Sequence, residues 1–254
     1  MLATKREKMK KNRFNQIYAS VLVNAIYAMK NYPITLINTL LAPISILIVI
    51  TLVSHGSLLS VSIIGALIMS MVSGGVSLQA DLSHLKNDFR LQDMIVSSPT
   101  SALIYIAGMS VSEIVYSLPA FLVLFALAAI FVHTTLLGAF TILAVLAIMY
   151  AFSIALGFLL STVSSDIIQN WAFSGIISTI LTTIPPIYYT ITYIPLPYRY
   201  IAYLSPTTYA AEIAQNAIGS IHLSMLSLAI DWAVVMIVSA TLFIIAIKKN
   251  KWRE

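Results

Sequence analysis

Apolar residues run through the chain in six long stretches, 32–53, 58–80, 102–132, 136–163, 167–187 and 223–247, separated by polar joints. Four of the six carry no charge at all; the third holds Glu113 and the sixth Asp231. A helix rises about 1.5 Å per residue, so about 20 residues cover a hydrocarbon core of roughly 30 Å. The pattern therefore predicts six membrane-spanning helices. The runs are continuous and rich in Leu, Ile and Ala, without the alternation of period two that a membrane β-barrel needs. Pro33 sits where a helix starts without losing a hydrogen bond, and Ser164, Ser165 and Asp166 offer capping side chains before the fifth run. Pro43, Pro119, Glu113 and Asp231 make the first, third and sixth runs imperfect as lipid-facing cylinders, so these helices are expected to turn toward protein or water.

Three segments outside these runs have patterns of their own. In 14–31, Phe14, Ile17, Tyr18, Val21, Leu22, Ala25, Ile26 and Met29 recur at helical spacing, with Asn15, Gln16, Ser20 and Asn24 between them. This reads as an amphipathic helix, either lying on the membrane surface or packed on other helices of the chain. Between the second and third runs, 81–98 places Leu82, Leu85 and Phe89 on one side of a short helix and Lys86, Asp88, Arg90 and Asp93 on the rest. Asp81 stands as its cap and Pro99 after its end. A simple reversal of direction needs only a few residues, and this joint spends about twenty. The third segment, 185–219, collects five of the nine prolines and seven of the thirteen tyrosines within 185–209. Prolines break regular helix and tyrosines favour the headgroup zone, which predicts short helices that dip into one leaflet and return.

Composition changes the class of protein under consideration. With 59% apolar and 9% charged residues and a mean hydropathy of +0.94, the chain has too little polar surface for a water-soluble domain. Thirteen of the fourteen Lys and Arg residues fall on one side of a six-span topology: seven before the first run, Lys86 and Arg90 in the joint, and four after the last run. Arg199 alone falls opposite. Positive flanks stay in the cytoplasm, so both termini are expected there. The net charge of +5 is accounted for by this topology, and no basic patch interleaved with stacking aromatics suggests nucleic acid. The basic lead is followed by an amphipathic stretch, without the short apolar core and cleavage site of a signal peptide.

The chemistry available is sparse. The chain has no cysteine, and His55, His84, His133 and His222 are too scattered to ligate a metal. No Gly-Lys pair occurs, hence no phosphate-cradling loop. The carboxylates are too dispersed for acid–base or two-metal catalysis, which argues against a membrane-embedded lipid-modifying enzyme. Glu113 is the conspicuous residue, since a carboxylate inside an apolar span costs several kcal/mol unless paired, protonated or wet. A proton-coupling role and a hydrogen bond to a neighbouring helix are the two readings.

Leu91 to Gly108, "LQDMIVSSPTSALIYIAG", resembles the signature after the second span of the type-2 permeases of ATP-binding-cassette (ABC) transporters. There a short acidic helix leads through a serine-proline segment into the third span. Leu204 to Glu212, "LSPTTYAAE", is similar to a second recurring motif beyond the fifth span. The entry helix, the spans, the joint and the proline-aromatic segment follow the family's order along the whole chain.

The resemblance implies an all-α fold: a single transmembrane domain over 1–254 with six spans, an interfacial helix at 14–31, a cytoplasmic coupling helix at 81–98 and a re-entrant outer segment at 185–219. It implies that Leu85, Lys86, Asp88, Phe89, Arg90, Asp93 and Met94 dock on a separate nucleotide-binding ATPase subunit. Charged residues would register that contact and apolar ones anchor it. Glu113, Tyr188, Tyr189, Pro206, Tyr209 and Glu212 are the candidate pathway or gate residues. A second permease copy, identical or closely related, is implied, as are surrounding lipids and ATP with Mg in the partner; no cofactor is expected on this chain. The expected function is an exporter subunit in the cell membrane without catalytic activity. The alternative is a secondary transporter that works through Glu113 without an ATPase; inverted internal symmetry would favour it, and the charged joint has no counterpart after the fourth span.

Overall fold

The computed structural model describes residues 13–87, 102–161 and 167–248, and all regular structure among them is helical. Helix α1 covers 13–31 and widens into π-type turns over Leu22–Tyr27. It is followed by α2 (Pro33–Val53), α3 (Leu59–Asn87), α4 (Ala102–Phe131), α5 (Leu136–Ser161) and α6 (Ile167–Thr182). A 3₁₀ turn (Ile191–Tyr193) and the short helices α7 (Leu196–Ala202) and α8 (Pro206–Ala217) precede the last helix, α9 (Met225–Lys248). Pro33 occupies the first turn of α2, where its missing N–H has no intrahelical partner to lose.

Among the described residues, four helices are long and apolar enough to cross a membrane: Leu59–Ser77 within α3, Ala107–Phe131 within α4, Leu136–Ser161, and Met225–Ala246 within α9. The apolar part of α2 is the shorter Thr39–Val53, and α6 has 16 residues. The fifth apolar run was expected to stay helical to 187, yet its helix stops at Thr182. Pro185 and Pro186 lack the N–H a helix needs, and a residue before proline is driven toward extended backbone.

A second difference lies at the other end of α3. The helix runs through Asp81 to Asn87, 29 residues in all, so Asp81 lies inside it and not at its start. No Gly or Pro interrupts the chain between Gly75 and Pro99, and at about 44 Å the helix is longer than a hydrocarbon core. The expected 81–98 helix thus begins as the tail of α3, and 88–98 lies outside the described residues, as do Ser164, Ser165 and Asp166.

Helices α3 and α5 form the centre of the bundle. Every residue from Val61 to Ser70 is buried, and α3 touches α2, α4, α5, α6 and α8. Small residues make this possible. A Cβ on Gly157 of α5 would come within 2.7 Å of the Gly75 carbonyl oxygen, and one on Gly75 would strike Ser153. Close approach of backbones through Gly and Ser is how helices gain contact where lipid removes the hydrophobic drive to associate. Helix α9 packs on α5 and α8. Helix α1 lies along α4: Ser20 Oγ is 3.2 Å from Ser112 Oγ, Asn24 Nδ2 is 3.3 Å from Met109 Sδ, and Ala25 is buried. Its polar edge therefore meets protein, while Phe14, Tyr18 and Ile26 stay exposed.

Candidate functional site

Among the described residues, two polar regions stand out in the apolar bundle. The first is a cleft of about 420 Å³ between α1, α2, α3, α4 and α6, lined by Asn24, Tyr32, Thr39, Ser70, Ser73, Ser77, Glu113, Tyr116, Ser117 and Trp171 together with apolar and small residues. This volume lies in the range of small-molecule sites, and a largely apolar wall with a few convergent polar groups is their usual lining. Glu113 is buried on α4, and Ser77 of α3 donates a hydrogen bond to its Oε1 at 2.8 Å. Gly74 lets the two helices approach: a Cβ there would meet Ser117 Oγ at 3.1 Å and Glu113 Oε1 at 3.9 Å. Ser73 Oγ lies 2.7 Å from Ser178 Oγ, tying α3 to α6 beside the cleft.

The expectation that Glu113 turns inward is thus met in the described structure. The serines around it escaped the reading of the sequence, although they carry a signal. Ser70, Ser73 and Ser77 on α3, and Ser110, Glu113 and Ser117 on α4, repeat at i, i+3, i+7, one face of each helix.

The second region is the end of the bundle formed by 183–219. Helix α8 enters the core: Thr207, Thr208, Ala210, Ala211, Glu212, Ile213, Ala214 and Gln215 are all buried. Its polar side chains hold the end of α6 and the irregular segment after it. Gln215 Nε2 donates to the carbonyls of Pro186 and Tyr189 at 3.1 Å each, and Thr207 Oγ1 donates to the Leu181 carbonyl at 2.6 Å. Thr134 closes the far end of α8 by donating to the Ala217 carbonyl at 2.9 Å. A hollow of about 390 Å³ lined by Ser57, Leu58, Val61, Thr190, Thr192, Tyr193 and Ser220 opens beside this segment.

The structure separates the tyrosines that the sequence presents as a group. Tyr188 is 3% exposed, wedged between α2 and α3; its hydroxyl donates to the Pro43 carbonyl at 3.4 Å and contacts Met69 Sδ at 2.9 Å. Tyr193, Tyr198 and Tyr200 are exposed. Tyr189 is half-buried over the core, and Pro206 occupies the first turn of α8. Tyr203 donates to Glu212 Oε1 at 2.9 Å, and its ring lies 5.5 Å from that of Tyr209. Burial pushes the Glu212 carboxyl above the usual carboxylate range, and the Tyr203 hydrogen bond partly offsets this. Burial likewise raises the Tyr203 hydroxyl, helped by the negative charge of Glu212.

Tyr188, Tyr189, Pro206, Tyr209 and Glu212 therefore gather at one end of the bundle. Glu113 sits in the separate cleft between α3 and α4, beside Ser77 and Ser117. Of the candidate docking residues, Leu85 and Lys86 lie in the last turns of α3, while Asp88, Phe89, Arg90, Asp93 and Met94 lie outside the described residues. Asp231 is buried on α9, the helix that packs on α8, and its Oδ2 has no hydrogen-bond partner among the described residues.

The chain matches the family described as ABC-2 type transporter over residues 15–219, from α1 through α8. No curated protein matches the chain.

Proposed function

The chain belongs to the ABC-2 type transporter family and is a permease, and from that premise we propose that it forms the membrane half of an ATP-driven exporter in the cell membrane. The observation that carries this reading is the family match, which spans both the α3–α4 joint and the 183–219 segment in one chain. In this reading α2 and α6 join the four longer helices as spans, giving six and leaving both termini in the cytoplasm with thirteen of the fourteen Lys and Arg residues.

A partner ATPase, carrying ATP and Mg, binds the protruding tail of α3 and the joint after it through Leu85, Lys86, Asp88, Phe89, Arg90, Asp93 and Met94. Because the tail is continuous with α3, a push on it reaches Ser77, Ser73 and Ser70 along one rigid rod. The cleft at Glu113 and the plug made by α8 then lie at the two ends of the path that cargo takes. The 185–219 segment acts as the re-entrant outer gate, with Tyr188, Tyr189, Pro206, Tyr209 and Glu212 on it. A second copy, identical or related, completes the pathway.

The test is co-purification of the full-length chain with an ATPase subunit, followed by ATP-dependent transport in vesicles. Reversing Lys86, Asp88 and Arg90 together is expected to abolish both. The serine-lined cleft around Glu113 favours one second reading, a carrier that needs no ATPase. Transport that persists in vesicles lacking any ATPase, and is lost in Glu113→Gln, would replace the first reading with the second.

A further inference from the structure

The cleft around Glu113 has a mouth and a floor of different character. Tyr32, at the joint of α1 and α2, and Trp171 of α6 are 65% and 63% exposed and stand at its mouth. Glu113, 7% exposed, closes its inner end with the buried Ser117 and Ala120. The mouth exists because α2 and α6 both pack on α3 without an extended contact with each other. Between mouth and floor, Ala42, Pro43 and Met69 make the wall apolar.

Several polar groups of the cleft have already spent their protons on the protein. Thr39 Oγ1 donates to the Leu36 carbonyl at 2.8 Å, and Asn24 Nδ2 donates to the Ser20 carbonyl at 3.1 Å and lies 3.3 Å from Met109 Sδ. The single proton of Ser77 goes to Glu113 Oε1 at 2.8 Å or to the Gly74 carbonyl at 2.7 Å. These groups are left with lone pairs to offer a ligand. Among the described residues, the lining holds no Lys, Arg or His, and Glu113 is its one charged side chain. Lys30, two residues before Tyr32, is exposed and outside the lining. An anion here would meet a carboxylate and acceptor oxygens with nothing to offset it, whereas a cation brings the counter-charge. The rings of Tyr32, Tyr116 and Trp171 line the same space, and aromatic rings attract ammonium groups.

We propose that this cleft is a binding site for amphiphilic amines, molecules that carry one ammonium group on an aromatic or aliphatic body. The ammonium sits at Glu113 beside the lone pairs of Ser77, and the body lies along Met69 toward Trp171 and Tyr32 at the mouth. A space of about 420 Å³ suits one such molecule. Binding itself needs no ATPase. That these amines are the cargo rests on the permease reading, in which α2 and α6 begin on the cytoplasmic side and the mouth opens where a molecule bound for export is loaded.

The experiment uses the purified full-length chain in a non-ionic detergent with no ATPase present. Three fluorescent probes share one dansyl body: dansylcadaverine ends in an ammonium, its N-acetyl derivative is neutral, and dansyl-aminohexanoate ends in a carboxylate. Dansyl emission, corrected for protein-free micelles, reads binding. The ammonium probe is expected to bind about tenfold more tightly than either of the others. Glu113→Gln keeps an acceptor oxygen for Ser77 but removes the charge, so the three affinities should converge while the thermal midpoint holds. Trp171→Leu should weaken the ammonium probe by about threefold. Ala42→Trp, at an exposed position of the wall, fills the cleft with Glu113 intact and should weaken all three probes; it decides the matter if Glu113→Gln does not fold. Equal affinity of the wild type for the ammonium and carboxylate probes would overturn the proposal. So would an ammonium preference that Glu113→Gln leaves intact, or ammonium binding that Ala42→Trp leaves unchanged, since the amine would then bind elsewhere. Ammonium binding that depends on Glu113, in a chain that moves no cargo with ATP, would uphold the site and refute the permease reading instead.

Discussion

Gly65 is where the plug segment meets the central helix most closely, and Gly65→Ala isolates that contact. A Cβ there would strike the Ile187 carbonyl oxygen and come within 2.8 Å of its carbon and 2.9 Å of Tyr188 Cα. All three are backbone atoms, which cannot swing aside as a side-chain tip can. Segment 185–190 must lift, and with it go the hydrogen bond from Ser62 Oγ to the Tyr188 carbonyl at 3.1 Å and the seat of the Tyr188 hydroxyl. Overpacking costs about 1–3 kcal/mol, the lost hydrogen bonds about 1 kcal/mol each, and the better helix propensity of Ala returns about 1 kcal/mol. The net is a loss of about 2–4 kcal/mol, or roughly 4–16 °C in midpoint for a chain of this size. Gly175→Ala in α6 is the control, because a Cβ there has nothing within 4 Å; it should hold or slightly raise the midpoint. Thermal unfolding of the three full-length proteins in one detergent decides the matter. If Gly65→Ala melts within a degree or two of Gly175→Ala, the plug does not rest on α3 as described.

Three further outcomes follow from the same geometry. Gln215→Leu strands the Pro186 and Tyr189 carbonyls and should lower stability by about 2–4 kcal/mol in the same assay. Tyr188→Phe keeps the packing but drops the hydroxyl contacts with Pro43 and Met69, for a loss of about 1 kcal/mol. Tyr203→Phe tests linkage through Glu212, whose raised carboxyl is protonated in the folded chain above the value at which the unfolded chain ionises. Stability therefore falls as pH rises from the ordinary Glu value to the raised one. Removing the hydroxyl that lowers Glu212 should carry this loss to higher pH, read as a midpoint-versus-pH curve shifted relative to wild type.

The helices were legible because their signal is length and apolarity alone. The joints Pro33, 54–58 and 132–135 fall where the polar breaks place them. What pattern does not encode is which apolar helix sits at the centre. Helix α3 has the serines and glycines that admit five neighbours, but small residues look the same in a lipid-facing helix until a partner is placed against them. Asp81 shows the converse error, since a residue able to cap a helix stays inside one when nothing nearby breaks it. Among the site residues, Glu113 announced itself by its cost in an apolar run. Asp231 announced itself in the same way, and it too is buried against protein. The tyrosines of 188–209 share one composition signal yet occupy a buried wedge, a carboxylate clamp and an exposed belt.

Helix α8 inverts the usual arrangement in this bundle, with a polar helix at the core end and apolar helices around it. Thr207, Thr208, Glu212 and Gln215 are buried although each prefers water, and each is bonded to a carbonyl or hydroxyl of the chain that precedes α8, between Leu181 and Tyr203. Such a plug is stable only while those partners stay in place, and a shift of α8 exchanges them for water at little cost, which is what the proposed gating role requires. The absence of native cysteine makes this measurable, since any thiol introduced is the sole one in the chain. Ser220→Cys, exposed beside the hollow, should react readily with a water-soluble maleimide, and Thr207→Cys, fully buried, should react slowly. In vesicles containing the proposed ATPase partner, added ATP should accelerate labelling of Thr207→Cys by tenfold or more while leaving Ser220→Cys nearly unchanged. Equal slow labelling of Thr207→Cys with and without ATP, in vesicles that transport, would mean that cargo leaves without moving α8.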